Sequence, residues 1–130
     1  MDKLEYIPGD FVTWLGHKFR IDGVIVDPDT KRIDYYEIAD TGSRSVFQGD
    51  SLKPIKLTYT ILKKNGWKKD GKWYYLPTKR AYLYITRDAR QPDEFLICAG
   101  EGKYNLTSVS FVHQLQHFLF GLNLNSDLEV

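Results

Sequence analysis

One stretch carries apolar side chains at helical spacing more strongly than any other, residues 108–122, SVSFVHQLQHFLFGL. At about 100° per residue, Phe111, Val112, Leu115, Phe118, Leu119 and Leu122 fall on one face, as in an amphipathic helix lying on a core. Thr107 or Ser108 is expected to cap its amino end, a hydroxyl accepting from a free N–H of the first turn. Gly121 and then Asn123 supply the left-handed conformation that ends a helix. Burying six large apolar side chains contributes on the order of 10 kcal/mol before chain entropy is set against it. The strands that precede this helix are therefore expected to pack beneath it. The opposite face carries Ser110, His113, Gln116, His117 and Phe120.

Before the helix the period changes to two. Apolar runs and alternations predict strands over 11–15, 18–26, 32–39 and 44–47, separated by turn signals at 8–10, 16–17, 27–30 and 40–43. Gly23 interrupts the second strand and predicts a bulge or sharp bend. Short strands with turns at this spacing point to a small, strongly bent sheet or barrel. The order PGDFV, bent strand, turn, strand, turn, strand, DSLKPI resembles an SH3-like small barrel over about the first 50 residues. That likeness implies a binding module and leaves open whether peptide, nucleic acid or another part of the chain is bound.

Residues 53–57 read as a linker. Thr58 is placed to cap a short helix over 59–64, which Asn65-Gly66 stops. Strands are expected from 67 onward, over 72–76, over 80–86 and over 94–99, with Asp70-Gly71 as a hairpin turn and 127–130 as a last edge strand. The fold class is α+β: an SH3-like small β-barrel over 1–54, then over 55–130 an antiparallel sheet flanked by a short helix and a long carboxyl-terminal helix.

Composition narrows this little. The 130 residues are 42% hydrophobic, 27% charged and 15% aromatic, which fits a globular protein with many strands. The lack of an apolar amino-terminal segment or spanning run, and the single cysteine, give the expectation of a cytoplasmic chain without membrane contact. Charge changes the picture more. The net +1 conceals −4 over residues 1–52, +9 over 53–90 and −4 over 91–130. A basic middle either makes a local positive surface or pairs with its acidic flanks.

Lys63-Lys64-Asn65-Gly66-Trp67, Trp73-Tyr74-Tyr75 and the VHQLQ token beginning at Val112 together resemble a group of short hypothetical proteins from gut Bacteroidetes and their phages. The resemblance covers residues 52–122 best. It implies a phage or mobile-element setting and one small fold, and no activity. Asn is usual in that group where this chain has His117.

Candidate chemistry is sparse. His113 and His117, four apart, could share a metal, but HQLQH has Gln114 where a zinc hydrolase would carry its general base. No metal, cofactor or catalytic residue is assigned. With Gln116 and Phe120 the two histidines form a face expected to meet solvent or a protein partner. Cys98 sits in the apolar run FLICA and is expected in the core. Asp22, Asp27, Asp29 and Asp34 lack the spacing of a calcium loop and read as turn and edge residues. Lys63, Lys64, Lys68, Lys69, Lys72, Lys79 and Arg80 interleave with Trp67, Trp73, Tyr74, Tyr82 and Tyr84, a pattern suited to phosphate contacts and base stacking. The expected function is a non-enzymatic binding module, foremost for protein, another copy or a host or phage partner; the alternative is nucleic acid on the 63–84 surface.

Overall fold

The computed structural model describes residues 6–31, 33–40, 43–47, 52–79, 82–88, 90–91, 93–100 and 103–130. Its first half is an antiparallel sheet of β1 (Phe11–Trp14), β2 (His17–Val26), β3 (Ile33–Asp40), β4 (Ser43–Phe47) and β5 (Lys53–Pro54), in the order β4-β3-β2-β1-β5. Leu15 and Gly16, at φ of 50° and 81°, make the two-residue reversal between β1 and β2. Register slips at Gly23 against β3, as the interruption of the pattern foretold, and bends β2 so that it serves both halves of the sheet. Tyr6, Val12, Ile21, Tyr36, Ile38 and Leu52 are buried together against it.

The sheet stays open. No ladder joins β4 to β5 among the described residues, so the closed barrel expected for 1–54 is not formed. The segment expected as a linker is itself structured. Lys53–Pro54 pairs with β1, Lys56 bridges to Phe111, and the Ile55 carbonyl accepts from Val112 N–H at 2.8 Å.

The second half contains α1 (Tyr59–Lys64), β6 (Lys68–Asp70), β7 (Trp73–Pro77), β8 (Tyr82–Arg87), β9 (Phe95–Ala99), β10 (Tyr104–Val109) and α2 (Val112–Gly121). The strands form an antiparallel meander in the order β10-β9-β8-β7-β6. Thr58 caps α1 as expected, its Oγ1 accepting from Ile61 N–H at 3.3 Å. Both helices lie on one face of this sheet. Ile61 and Leu62 from α1 and Val112, Leu115 and Leu119 from α2 meet Tyr74, Leu83, Ile85, Phe95 and Ile97.

Four expectations about the second half are corrected. The final helix has ten residues and starts at Val112, not Ser108. Ser108 and Val109 instead finish β10, paired with Leu96 and Phe95, because the Leu-Thr-Ser-Val run completes a ladder before the helical period begins. Neither Thr107 nor Ser108 caps it: Phe111 is the N-cap, and Gln114 Oε1 reaches back to accept from Ser110 N–H at 2.7 Å and Phe111 N–H at 3.1 Å, just ahead of the helix. Residues 127–130 form no strand. Leu128 is buried, and Asn65 clamps the segment by accepting from Glu129 N–H and donating to its carbonyl. Finally, Asp70 pairs with Trp73, so the hairpin turn is Gly71-Lys72, with Gly71 at φ 62°. No helix among the described residues is long and apolar enough to cross a membrane.

Candidate functional site

With α1 and α2 on one face of the second sheet, no helix among the described residues lies over the other face. Strand alternation decides what it presents. Tyr74, Leu83 and Ile85 go to the core, which sends Trp73, Tyr75, Tyr82 and Tyr84 to the open side. The register aligns Lys68, Tyr75, Tyr84, Cys98 and Asn105 in one row across five strands. The Tyr75 and Tyr82 rings are parallel within 4°, with centroids 5.7 Å apart, and Tyr82 is 49% exposed. Lys103 Nζ lies 4.9 Å from the centre of the Tyr84 ring and 5.7 Å from that of Trp73, while Lys72 approaches Trp73 at 5.8 Å. Each ammonium thus meets the negative face of an aromatic ring and remains free to bind an anion. Lys69, Asp70, Tyr75, Tyr82 and Tyr84 border a hollow of about 310 Å³.

Of the residues expected to form a nucleic-acid surface, Lys68, Lys72, Trp73, Tyr82 and Tyr84 are brought together here. Lys69 is opposite Tyr74 in register and reaches the hollow only from the sheet edge. Lys63 and Lys64 are the last turn of α1, on the covered side of the sheet. Arg80 lies outside the described residues. Trp67 and Tyr74, which interleave with the lysines in sequence, are core residues at 3% and 5% exposure. Tyr75 and Lys103 join the open face without having been singled out. Strict alternation from Trp73 would have found Tyr75; Lys103 comes from a turn 30 residues further along and has no local signal.

The face of α2 expected to await a partner is largely occupied by the chain itself. His113 and Gln116 are buried. Gln116 Oε1 accepts from Phe11 N–H at 3.0 Å, and its amide donates to the Gly9 and Ser126 carbonyls at 2.8 and 3.1 Å. His117 Nε2 meets Asp10 Oδ2 at 2.7 Å, the same oxygen that accepts from Ile7 N–H. His113 packs edge-on against Tyr6 and stacks on Phe111. The physical reason is a polar turn, 7–10, that brings unpaired backbone groups to the seam and needs polar side chains to satisfy them. Only Phe120, 69% exposed, remains outward.

Burial sets the charges at this seam. It pushes the Asp10 carboxyl up, against the lowering effect of the Ile7 amide and His117. It pushes His113 down to about 4, with help from the neighbouring His117, and Tyr6 up to about 12. A small hollow of about 130 Å³ between Asp10, Arg20, His117 and Phe120 opens beside the pair. No group of three or more metal-ligating side chains occurs among the described residues. Cys98 is buried, its thiol donates to Asn105 Oδ1 at 3.0 Å, and burial raises its pKa, so it is a weak nucleophile. Asp27 Oδ1 accepts from Asp29 N–H at 2.9 Å, an ordinary turn contact.

Comparison with protein-family models, with curated proteins and with solved structures finds no match for this chain.

Proposed function

We propose that the chain is a non-catalytic binding module that takes single-stranded nucleic acid on the open face of its second sheet. The observation that carries this is the cluster of exposed Tyr82 and half-buried Tyr75, Tyr84 and Trp73 on the side of the sheet away from the helices, with Lys68, Lys72 and Lys103 set among them. Aromatic rings on a sheet are ordinarily buried by another layer. Here no helix among the described residues lies over them, and the rings are flanked by the cations that a phosphate backbone requires. Unpaired bases stack on such rings whatever their sequence, and lysines hold the backbone. A duplex keeps its base faces to itself, so single strands are the better fit.

The first sheet then acts as a scaffold for α2. Its strand order, with β5 returning to β1, supports reading it as an SH3-like module. The resemblance noted for residues 52–122 supports a phage or mobile-element setting.

The test is fluorescence anisotropy with labelled single-stranded oligonucleotides over a range of salt. Affinity should fall with a logarithmic slope of about −0.7 per phosphate neutralised. Lys68→Glu and Lys72→Glu should flatten the slope. Tyr82→Ala should lose about 1–3 kcal/mol, the typical share of one stacked base. Binding indifferent both to salt and to Tyr82→Ala would end this reading.

A protein partner is the second reading. It rests on Phe120, whose exposed ring borders the seam hollow together with the 42% exposed Ile7. Phe120→Asp abolishes a co-purifying partner on this reading and leaves oligonucleotide binding intact.

A further inference from the structure

Among its described residues the open face carries a group that a surface for phosphates should not. Asp70 is exposed at the end of β6, directly across from Trp73, and lines the hollow with Tyr75, Tyr82 and Tyr84. No hydrogen bond or ion pair joins its carboxylate to another described residue. The turn does not require it either, since the two reversing residues are Gly71 and Lys72. A carboxylate here repels the backbone of any nucleic acid lying on the tyrosines. That cost is offset if the carboxylate accepts hydrogen bonds from a base.

Resting on the nucleic-acid reading above, we infer that the hollow beside Asp70 is a guanine subsite. A carboxylate only accepts, and its two oxygens suit two parallel donors. Guanine alone among the four bases presents two adjacent donors on its pairing edge, the ring N–H and the exocyclic amine. Adenine and cytosine present one amine beside a ring nitrogen that itself accepts, and thymine or uracil one N–H between two carbonyls. Those acceptors face the carboxylate with like partial charge. The guanine ring would stack on Tyr82, whose neighbour Tyr75 lies parallel to it and holds its plane. Lys69 and Lys68, at the same edge, are placed for the adjoining phosphates. Only an unpaired base exposes this edge, which agrees with a preference for single strands.

The experiment is a competition between short thymidine oligonucleotides that are uniform or carry one central guanosine, adenosine or cytidine, with a matching RNA series to separate the two backbones. The guanosine strand should bind about tenfold more tightly than the other three, within what one two-point contact contributes. Asp70→Asn removes one acceptor and one charge. It should erase that preference while the uniform strand binds as well as before or better. Asp70 is exposed on an edge strand, so the variant is expected to fold, and undiminished binding of the uniform strand checks this. Binding of all strands with no guanine preference, or a preference that survives Asp70→Asn, overturns the subsite and leaves the nucleic-acid reading standing. No binding by any strand overturns both.

Discussion

His113 is the residue least at ease in its surroundings. It is 3% exposed, its ring lies between Tyr6 and Phe111, and its Nδ1 has no hydrogen-bond partner among the described residues. The groups facing it are Tyr6, Asp10 through His117, and His117 itself. Its folded pKa of about 4 lies below the ordinary 6.5. Between those values the unfolded chain takes up a proton that the folded chain refuses, so stability falls as pH drops from 6.5 to about 4 and levels off below. Asp10 works in the other direction. Its raised pKa lets the folded state keep a proton that the unfolded state has lost, a contribution present at low pH and lost as pH rises through the folded value. His113→Phe keeps the ring contacts and removes both the orphaned nitrogen and its titration. In urea unfolding the variant should be more stable than the parent by roughly 1–2 kcal/mol at about pH 5, with a smaller gain at about pH 7.5. A gain of equal size at both would show that the imidazole does not titrate as described.

At the scale of elements, α2 is a two-sided wedge. One side inserts Val112, Leu115 and Leu119 into the larger core, and the other fastens the turn at 7–10 through Gln116 and His117. Leu119→Ala should cost about 2–5 kcal/mol by opening a cavity in a buried site. Gln116→Ala should cost a similar amount for a different reason, leaving the Phe11 N–H and the Gly9 carbonyl unpaired. Phe120→Ser, on the same helix but exposed, should stay within about 0.5 kcal/mol. Denaturant midpoints of the three variants rank these effects; a Gln116→Ala protein as stable as the parent would mean that water replaces the lost bonds. The inward side of this helix was legible in the sequence because Leu115 and Leu119 repeat at helical spacing. The outward side was not, because what covers it is the turn around Asp10, 107 residues away in the chain. Distance along the chain also hid Lys103 from the aromatic face. The strands of the first half were legible from alternation, whereas closure of the barrel depends on a pairing between β4 and β5 that no local pattern encodes.

Taken whole, the molecule has two apolar clusters of unequal size, six buried residues under the first sheet and fifteen under the second among the described residues. Neither is walled off. Phe11 from β1 packs on the larger cluster, the Ile55 and Ser110 carbonyls tie the crossing segment to α2, and the last residues reach back, Lys18 Nζ donating to the Val130 carbonyl at 2.7 Å and Arg20 pairing with Asp127 at 3.5 Å. The last two contacts are exposed and contribute little; the buried amide and carboxylate at the seam matter more. A cluster of six residues is small to stand alone, so the first sheet should depend on the seam for its stability. Trp14 lies in the first sheet and Trp67 in the second core, which gives each half its own fluorescent reporter once the other tryptophans are replaced by Phe. In the otherwise unaltered chain the two reporters should change together over one urea transition. With Asp10→Ala and Gln116→Ala combined, Trp14 should report unfolding at lower urea than Trp67, because the smaller cluster has lost what it leans on while the larger keeps its helix contacts. Coincident transitions in that double variant would mean that the backbone ties at 55–57 and 110–112 suffice to hold the halves together, and that the polar seam serves the placement of α2 without adding to cooperativity.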